Sequence, residues 1–156
     1  MATEFKIRTY AVKVMAIFAI LFAGFANAAD PVFSNKKGAI AGADPVAYFS
    51  LLPGEQAILG SDDFTYEWNG ATWKFSSAEN RQKFIDSPEK YAPQYGGYCA
   101  YAVAHGSAAK ISPNAWKVVD DKLYLNYNKS IAKKWVKNQD DFIKRADEAW
   151  PEVLKK

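Results

Sequence analysis

The two side chains best suited to soft-metal or thiol chemistry lie six positions apart. Cys99 is the only cysteine and His105 the only histidine among 156 residues. Thiolate sulfur and imidazole nitrogen suit copper, whereas zinc generally requires four tetrahedral ligands. The pair therefore predicts a copper ion bound by Cys99, with His105 as the second ligand. A metal-bridged homodimer could supply further ligands.

A short helix over residues 98–104 could position this pair. Gly96 and Gly97 free the backbone before it, and Gly106 can end it in the left-handed conformation. Cys99 would then lie in the first turn, where free N–H groups and the helix dipole lower a thiol pKa. Such a thiol is also a nucleophile. A second hypothesis is therefore a redox protein in which Cys99 cycles through sulfenic acid or a mixed disulfide.

A third hypothesis needs no reactive group. Free cysteine is among the most buried residue types, and a histidine after a helix often caps its last carbonyl groups. The neighbouring tyrosines Tyr95, Tyr98 and Tyr101 fit packing roles. Cys99 would then belong to the core of a non-catalytic domain that binds a partner through its aromatic surface.

The first 28 residues have the three regions of a secretory signal peptide. Basic residues precede an apolar run over residues 14–25, and an A-x-A cleavage site ends at Ala28. This run is shorter than the roughly 20 residues of a membrane span. We therefore expect cleavage after Ala28 and a periplasmic mature chain without a span; an uncleaved anchor is the alternative.

Most of the net positive charge lies in that segment. Its removal takes away three basic residues and Glu4, leaving 17 Lys and Arg against 16 Asp and Glu. No basic block remains, which argues against a nucleic-acid partner. The chain also lacks a G-x-S-x-G elbow and a glycine-rich phosphate loop, so no motif supports an enzyme.

The mature chain predicts one small α+β domain with two β-hairpins and three to four helices. Aromatic residues alternate on both sides of Asn69-Gly70 over residues 64–75, which is the strongest short-range hairpin signal. Residues 116–127 predict the second hairpin. Asp44 precedes a proline and is therefore predicted to be the N-cap of a short helical turn that ends near Leu51. Residues 29–41 are expected to form an irregular lead-in.

Three further segments predict helices. Ser76 followed by Glu79 fits a capping box, so a helix should begin at Ser76 and end near Asp86. Residues 88–91 predict one more turn. Apolar spacings near three and four over residues 129–148 predict one or two amphipathic helices with solvated charged faces. A short tail over 152–156 follows.

The order and spacing of these motifs resemble the YHS domain. The chain is particularly similar to exported YHS-domain proteins, over residues 42–151. The residues that carry the resemblance are Asp44-Pro45-Val46, Trp73-Lys74-Phe75, Phe84, Ser87-Pro88-Glu89-Lys90-Tyr91, the Tyr-Gly-Gly-Tyr-Cys-Ala segment at 95–100 and the Leu-Tyr-Leu-Asn-Tyr strand at 123–127.

The resemblance implies a YHS-like fold and a role in heavy-metal handling. Metal-transport versions carry cysteines at the places of Ala47, Ser76 and Asn80, so the usual thiolate set is missing here. Related exported proteins include selenoproteins, which implies chalcogen redox chemistry at Cys99. The leading prediction is a soluble periplasmic protein that binds copper through Cys99 and His105. A periplasmic protein or a second copy of the chain is the expected partner.

Overall fold

Residues 28–156 are described by a computed structural model that contains three two-stranded antiparallel sheets and five α-helices in one small α+β domain. The predicted fold class is confirmed. The predicted signal peptide lies outside the described residues, except for Ala28. The strands are β1 (Ser34–Asn35), β2 (Gly38–Ala39), β3 (Ser61–Trp68), β4 (Ala71–Phe75), β5 (Ser112–Val119) and β6 (Lys122–Asn126), and the helices are α1 (Ala78–Asp86), α2 (Pro88–Tyr91), α3 (Ala100–Val103), α4 (Lys129–Lys137) and α5 (Gln139–Val153).

Both predicted hairpins are present, β3 with β4 and β5 with β6. Their two-residue turns have positive φ at both positions, 50° and 77° for Asn69 and Gly70, and 48° and 57° for Asp120 and Asp121. Positive φ at both positions matches the strand twist, and Asn, Asp and Gly tolerate it. The acidic pair at 120–121 is therefore a turn element.

The lead-in over residues 29–41 is more regular than expected. β1 pairs with β2 to form a third, very short hairpin, and a 3-10 turn follows at Ile40–Gly42. Ala39 and Ile40 are fully buried. Burial of these side chains holds the segment in place, which no periodicity over so few residues could indicate.

Helix α1 begins one residue later than predicted. Its N-cap is Ser77, whose hydroxyl accepts a hydrogen bond from the Asn80 N–H at 3.1 Å. The prediction that Ser76 is the cap is wrong because both the N–H and the hydroxyl of Ser76 donate to the carboxylate of Asp44. Glu79 instead pairs with Lys83 on the helix surface.

The C-terminal periodicity corresponds to two helices. Asn138 separates them with φ −141° and ψ 40°, and α5 continues into the expected tail as far as Val153. Val153 is 2% exposed because it packs in the core. No helix within residues 28–156 has the length and apolarity that a membrane crossing requires.

The core consists of two adjoining clusters. The first lies around Trp73, Phe75 and Phe84, all fully buried, and includes Cys99. Each of these aromatic rings contributes roughly 1.5–3 kcal/mol through burial. The second cluster joins α3, β6, α4 and α5 around Trp135. Segment 95–104 lies where the two clusters meet, so its residues are constrained from both sides.

Candidate functional site

Cys99 is a buried residue that connects α3 to the end of β6. It occupies the N-cap position of α3 and is 1% exposed. Its Sγ accepts a hydrogen bond from the Tyr127 N–H at 3.2 Å and lies 3.7 Å from Asn126 Oδ1, to which the thiol donates. The same Oδ1 accepts from the Tyr101 N–H at 3.2 Å. The thiol thus has a complete set of internal partners.

The expected lowering of the Cys99 pKa is wrong. Burial raises the pKa of the thiol, and the nearby N–H groups of Ala102, Tyr127 and Tyr101 counteract this effect only partly. Desolvation disfavours the thiolate, and a four-residue helix offers little dipole to compensate. A protonated, buried thiol is a weak nucleophile and a weak metal ligand.

His105 lies on the surface at the end of α3. Its Nδ1 is 2.7 Å from the carbonyl oxygen of Tyr101, so this nitrogen carries the proton and donates. The imidazole packs against the rings of Tyr101 and Phe142, with centroid distances of 4.4 and 5.8 Å. Gly106 follows with φ 77°, in the left-handed conformation expected of the residue that ends the helix. His105 therefore acts as a helix cap.

The two predicted copper ligands face different surroundings. Cys99 points its thiol toward the end of β6, whereas His105 contacts residues of α3 and α5 at the surface. Within residues 28–156, no group of three or more His, Cys, Asp and Glu side chains is placed to hold a metal ion. This arrangement does not fit a two-ligand copper site, and copper binding stays a prediction.

Asp44 is the centre of a buried polar cluster. The residue is fully buried, and its Oδ1 accepts from the N–H groups of Val46 at 2.9 Å and Ala47 at 3.2 Å. Asp44 thus accepts the capping hydrogen bonds that were predicted, although the 3-10 turn runs over Ala47–Ser50 and Val46 occupies its N-cap position. Its Oδ2 accepts from the Ser76 N–H at 2.8 Å, the Ser76 hydroxyl at 2.7 Å and the Asn80 amide at 2.7 Å. Five donors therefore stabilise one buried charge.

The Asp44 cluster brings together three positions that are far apart in sequence. Ala47, Ser76 and Asn80 are the places at which the resemblance puts cysteines in metal-binding versions of the domain. All three contact the Asp44 carboxylate here. Because they contribute only N–H and O–H donors, the cluster joins the Ala47–Ser50 turn to α1 and offers no soft ligand.

An apolar groove between α4 and β5 was not predicted from the sequence. It has a volume of about 450 Å³. Ala115 and Trp116 of β5 line it from one side, and Ala132 and Val136 of α4 from the other. Trp116 is held in place because its Nε1 donates to the carbonyl of Glu55 at 2.9 Å. The groove is therefore a preformed feature of the surface.

Lysines surround this groove. Lys129, Lys133 and Lys137 line it from α4, and Lys117 lines two adjoining cavities. None of these four forms an ion pair within residues 28–156. The sequence predicts only that the charged faces of the C-terminal helices are solvated. The position of α4 beside β5 shows in addition that Lys129, Lys133 and Lys137 flank partly exposed apolar side chains.

Comparison with known proteins identifies no relative: no family profile, curated protein sequence or solved structure matches this chain. The similarity to exported YHS-domain proteins consequently stays a prediction from motifs. Function has to be inferred from the contacts, burial and charges of the chain itself.

Proposed function

We propose that this chain is a non-catalytic binding domain that docks an acidic, amphipathic helix of a partner protein in the α4–β5 groove. The groove supports this function because it combines partly exposed apolar side chains with lysines that form no ion pair within residues 28–156. Val136 in the groove is 41% exposed, and Trp116 and Ala132 beside it are half-buried. Apolar side chains that are open to solvent on one surface are typical of interaction sites.

The charge pattern specifies the chemistry of the partner. Lys129, Lys133 and Lys137 lie on one face of α4 and extend over about 12 Å, at 1.5 Å per residue. A partner helix with carboxylates at i, i+4 and i+8 has the same spacing. Its apolar side chains would contact Trp116 and Val136 between the charges. This is the helix-in-groove mode of recognition, and the opposite charges set orientation and speed association.

Cys99 has a structural role in this proposal. Its thiol is buried and protonated, and its hydrogen bonds with Asn126 and Tyr127 tie the start of α3 to the end of β6. We also propose that residues 1–28 are a cleaved signal peptide, so the partner is a periplasmic protein. The A-x-A site ending at Ala28 supports export.

The binding test uses a synthetic helical peptide of about 14 residues, long enough for a helix of four turns. It carries leucines on one face and glutamates at i, i+4 and i+8, and fluorescence anisotropy measures its affinity. We expect the Lys129→Glu/Lys133→Glu double variant to weaken binding at least about tenfold, because attraction becomes repulsion.

A matched control is the Lys36→Glu/Lys144→Glu double variant, which changes the net charge equally. Neither residue lines the groove, so its effect should stay below about threefold. Failure of the acidic peptide to bind would refute the proposal. Equal binding of a peptide with lysines in place of the glutamates would also refute it.

Copper handling is tested separately by titrating Cu(I) against a competing chelator. The parent protein is compared with Cys99→Ser and His105→Ala. We expect no tight stoichiometric binding, because neither side chain is free and the two do not converge. Tight binding that both substitutions weaken would instead establish the metal site, and would replace the structural role of Cys99.

A further inference from the structure

A second cleft lies among the β3–β4 turn, residues 92–96 and the end of α5. Two cavities of about 340 and 380 Å³ form it, and they share the lining residues Trp68, Ala92, Pro93 and Trp150. Each volume falls in the range of small-molecule sites, about 300–1,000 Å³. None of the cleft residues lines the α4–β5 groove, so this is a separate feature.

Two tryptophans form fixed walls of the cleft. Trp68 packs against the rings of Trp73 and Phe84, with centroid distances of 5.9 and 5.6 Å. Trp150 packs against Tyr95 and Tyr98 at 6.1 and 6.0 Å. Both tryptophans are only half-buried, and both line the two cavities. Part of each indole is thus presented to the cleft by a rigid support.

The charged side chains of the cleft are all acidic. Glu89 and Asp147 line the first cavity, and no lysine or arginine from residues 28–156 lines either cavity. Neither carboxylate forms an ion pair within the described part of the chain. Two negative charges therefore lie beside apolar walls without a counter-ion from residues 28–156.

Tyr95 fixes the position of one of these carboxylates. Its hydroxyl donates to Asp147 Oδ1 at 2.8 Å, and its ring is buried. The backbone at Tyr95 has φ 57°, a left-handed conformation that residues other than glycine rarely adopt. The same turn places Pro93 and Gln94 in the wall of the cleft. The unusual backbone thus organises both the acidic and the apolar parts of the cleft.

We propose that this cleft binds a small organic cation of the alkylammonium or quaternary ammonium class. The indole rings of Trp68 and Trp150 line the cleft and attract a cation through their ring quadrupoles, and tryptophan is the strongest of the aromatic residues in this respect. Glu89 and Asp147 supply the opposite charge. The apolar walls contact the methyl or methylene groups, which a hydrated metal ion lacks. This site is independent of the peptide-binding function and adds a ligand to it.

The test compares choline and benzyltrimethylammonium with neutral analogues that carry a tert-butyl group in place of the trimethylammonium group. Isothermal titration calorimetry measures binding to the mature protein. Shape and apolar area are matched, so the difference in affinity reports the charge alone. We expect the cations to bind at least about tenfold more tightly than the neutral analogues.

Substitutions locate the site. Glu89→Gln and Asp147→Asn together keep the shape of the cleft, and an asparagine at 147 can still accept from Tyr95. We expect this double variant to lose at least about fivefold in cation affinity. Glu67→Gln with Glu148→Gln removes the same charge outside the cleft and should leave the affinity unchanged. The proposal is overturned by equal binding of the neutral analogues, by full affinity in the Glu89/Asp147 variant, or by no binding of either cation.

Discussion

Asp44→Asn tests the structural role of the buried carboxylate most directly. Asparagine has almost the same shape as aspartate, but one acceptor oxygen becomes an NH₂ group. If the NH₂ group replaces Oδ2, the Ser76 N–H and the Asn80 amide lose their acceptor. If it replaces Oδ1, the N–H groups of Val46 and Ala47 lose theirs. Either orientation of the amide removes the acceptor of at least two donors; the Ser76 hydroxyl, which also donates to Oδ2, can rotate and accept instead.

The expected loss of stability follows from this count. A buried donor without a partner costs about 1–3 kcal/mol, and water can partly replace the acceptor at Ser76, which is exposed, and at Asn80, which is half-buried. Asp44→Asn should therefore lower the free energy of unfolding by about 1–3 kcal/mol. That is a large share of the about 5–15 kcal/mol that stabilises an ordinary domain. Urea denaturation of a protein comprising residues 29–156 at neutral pH, monitored by tryptophan fluorescence and circular dichroism, measures the change.

A matched control uses a second aspartate. Asp62 pairs with Lys74 on the surface, and its side chain is 87% exposed. Asp62→Asn should therefore change the free energy of unfolding by no more than about 1 kcal/mol. If Asp44→Asn is no more destabilising than Asp62→Asn, the carboxylate does not stabilise the junction between the Ala47–Ser50 turn and α1.

Three further changes test the core and its backbone. Cys99 should react with an alkylating reagent at least about a hundredfold more slowly in native buffer than in urea, and fast native labelling would contradict its burial. Gly96→Ala should lower the free energy of unfolding by about 2–5 kcal/mol, because Gly96 has φ 59° and the new Cβ would lie 2.0 Å from the backbone oxygen of Pro31. In the control Gly54→Ala the new Cβ meets no atom within 4 Å, so the loss should be only about 1–2 kcal/mol. Equal losses of stability would refute the crowding at Gly96. Burial raises the pKa of Tyr124 to about 12 and also raises the pKa of Tyr48 above the ordinary tyrosine value of 10.0. As the pH rises above 10.0, the unfolded chain therefore loses these protons before the folded chain does, and the free energy of unfolding should fall with increasing pH. Phenolate absorbance followed with circular dichroism checks this, and titration of every tyrosine near pH 10 without unfolding would disprove it.

Short-range features were predictable because they depend on neighbouring residues. The turn at Asn69-Gly70 requires positive φ, which these residue types tolerate, and the flanking aromatic residues alternate as strands do. The cap at Asp44 depends on N–H groups two and three residues away. The C-terminal helices follow from a periodicity that is visible in the sequence.

The error at Ser76 shows where local patterns stop being sufficient. Ser76 and Ser77 are chemically equivalent candidates for the cap of α1. The choice between them is made by Asp44, which lies 32 positions earlier and binds Ser76. A capping-box pattern contains no information on a contact of that range.

Residue types alone determined that thiol chemistry could occur only at Cys99, that two hairpins and one or two C-terminal helices would form, and that residues 29–156 carry little net charge. Tertiary structure decided the rest. It buries Cys99 against Asn126, places His105 on the surface, and assembles the cleft of Trp68, Asp147 and Trp150 from distant segments. The physical reason is that a pKa or a binding site depends on desolvation and on charges brought close by folding, whereas a turn or a helix depends on backbone preferences over a few residues.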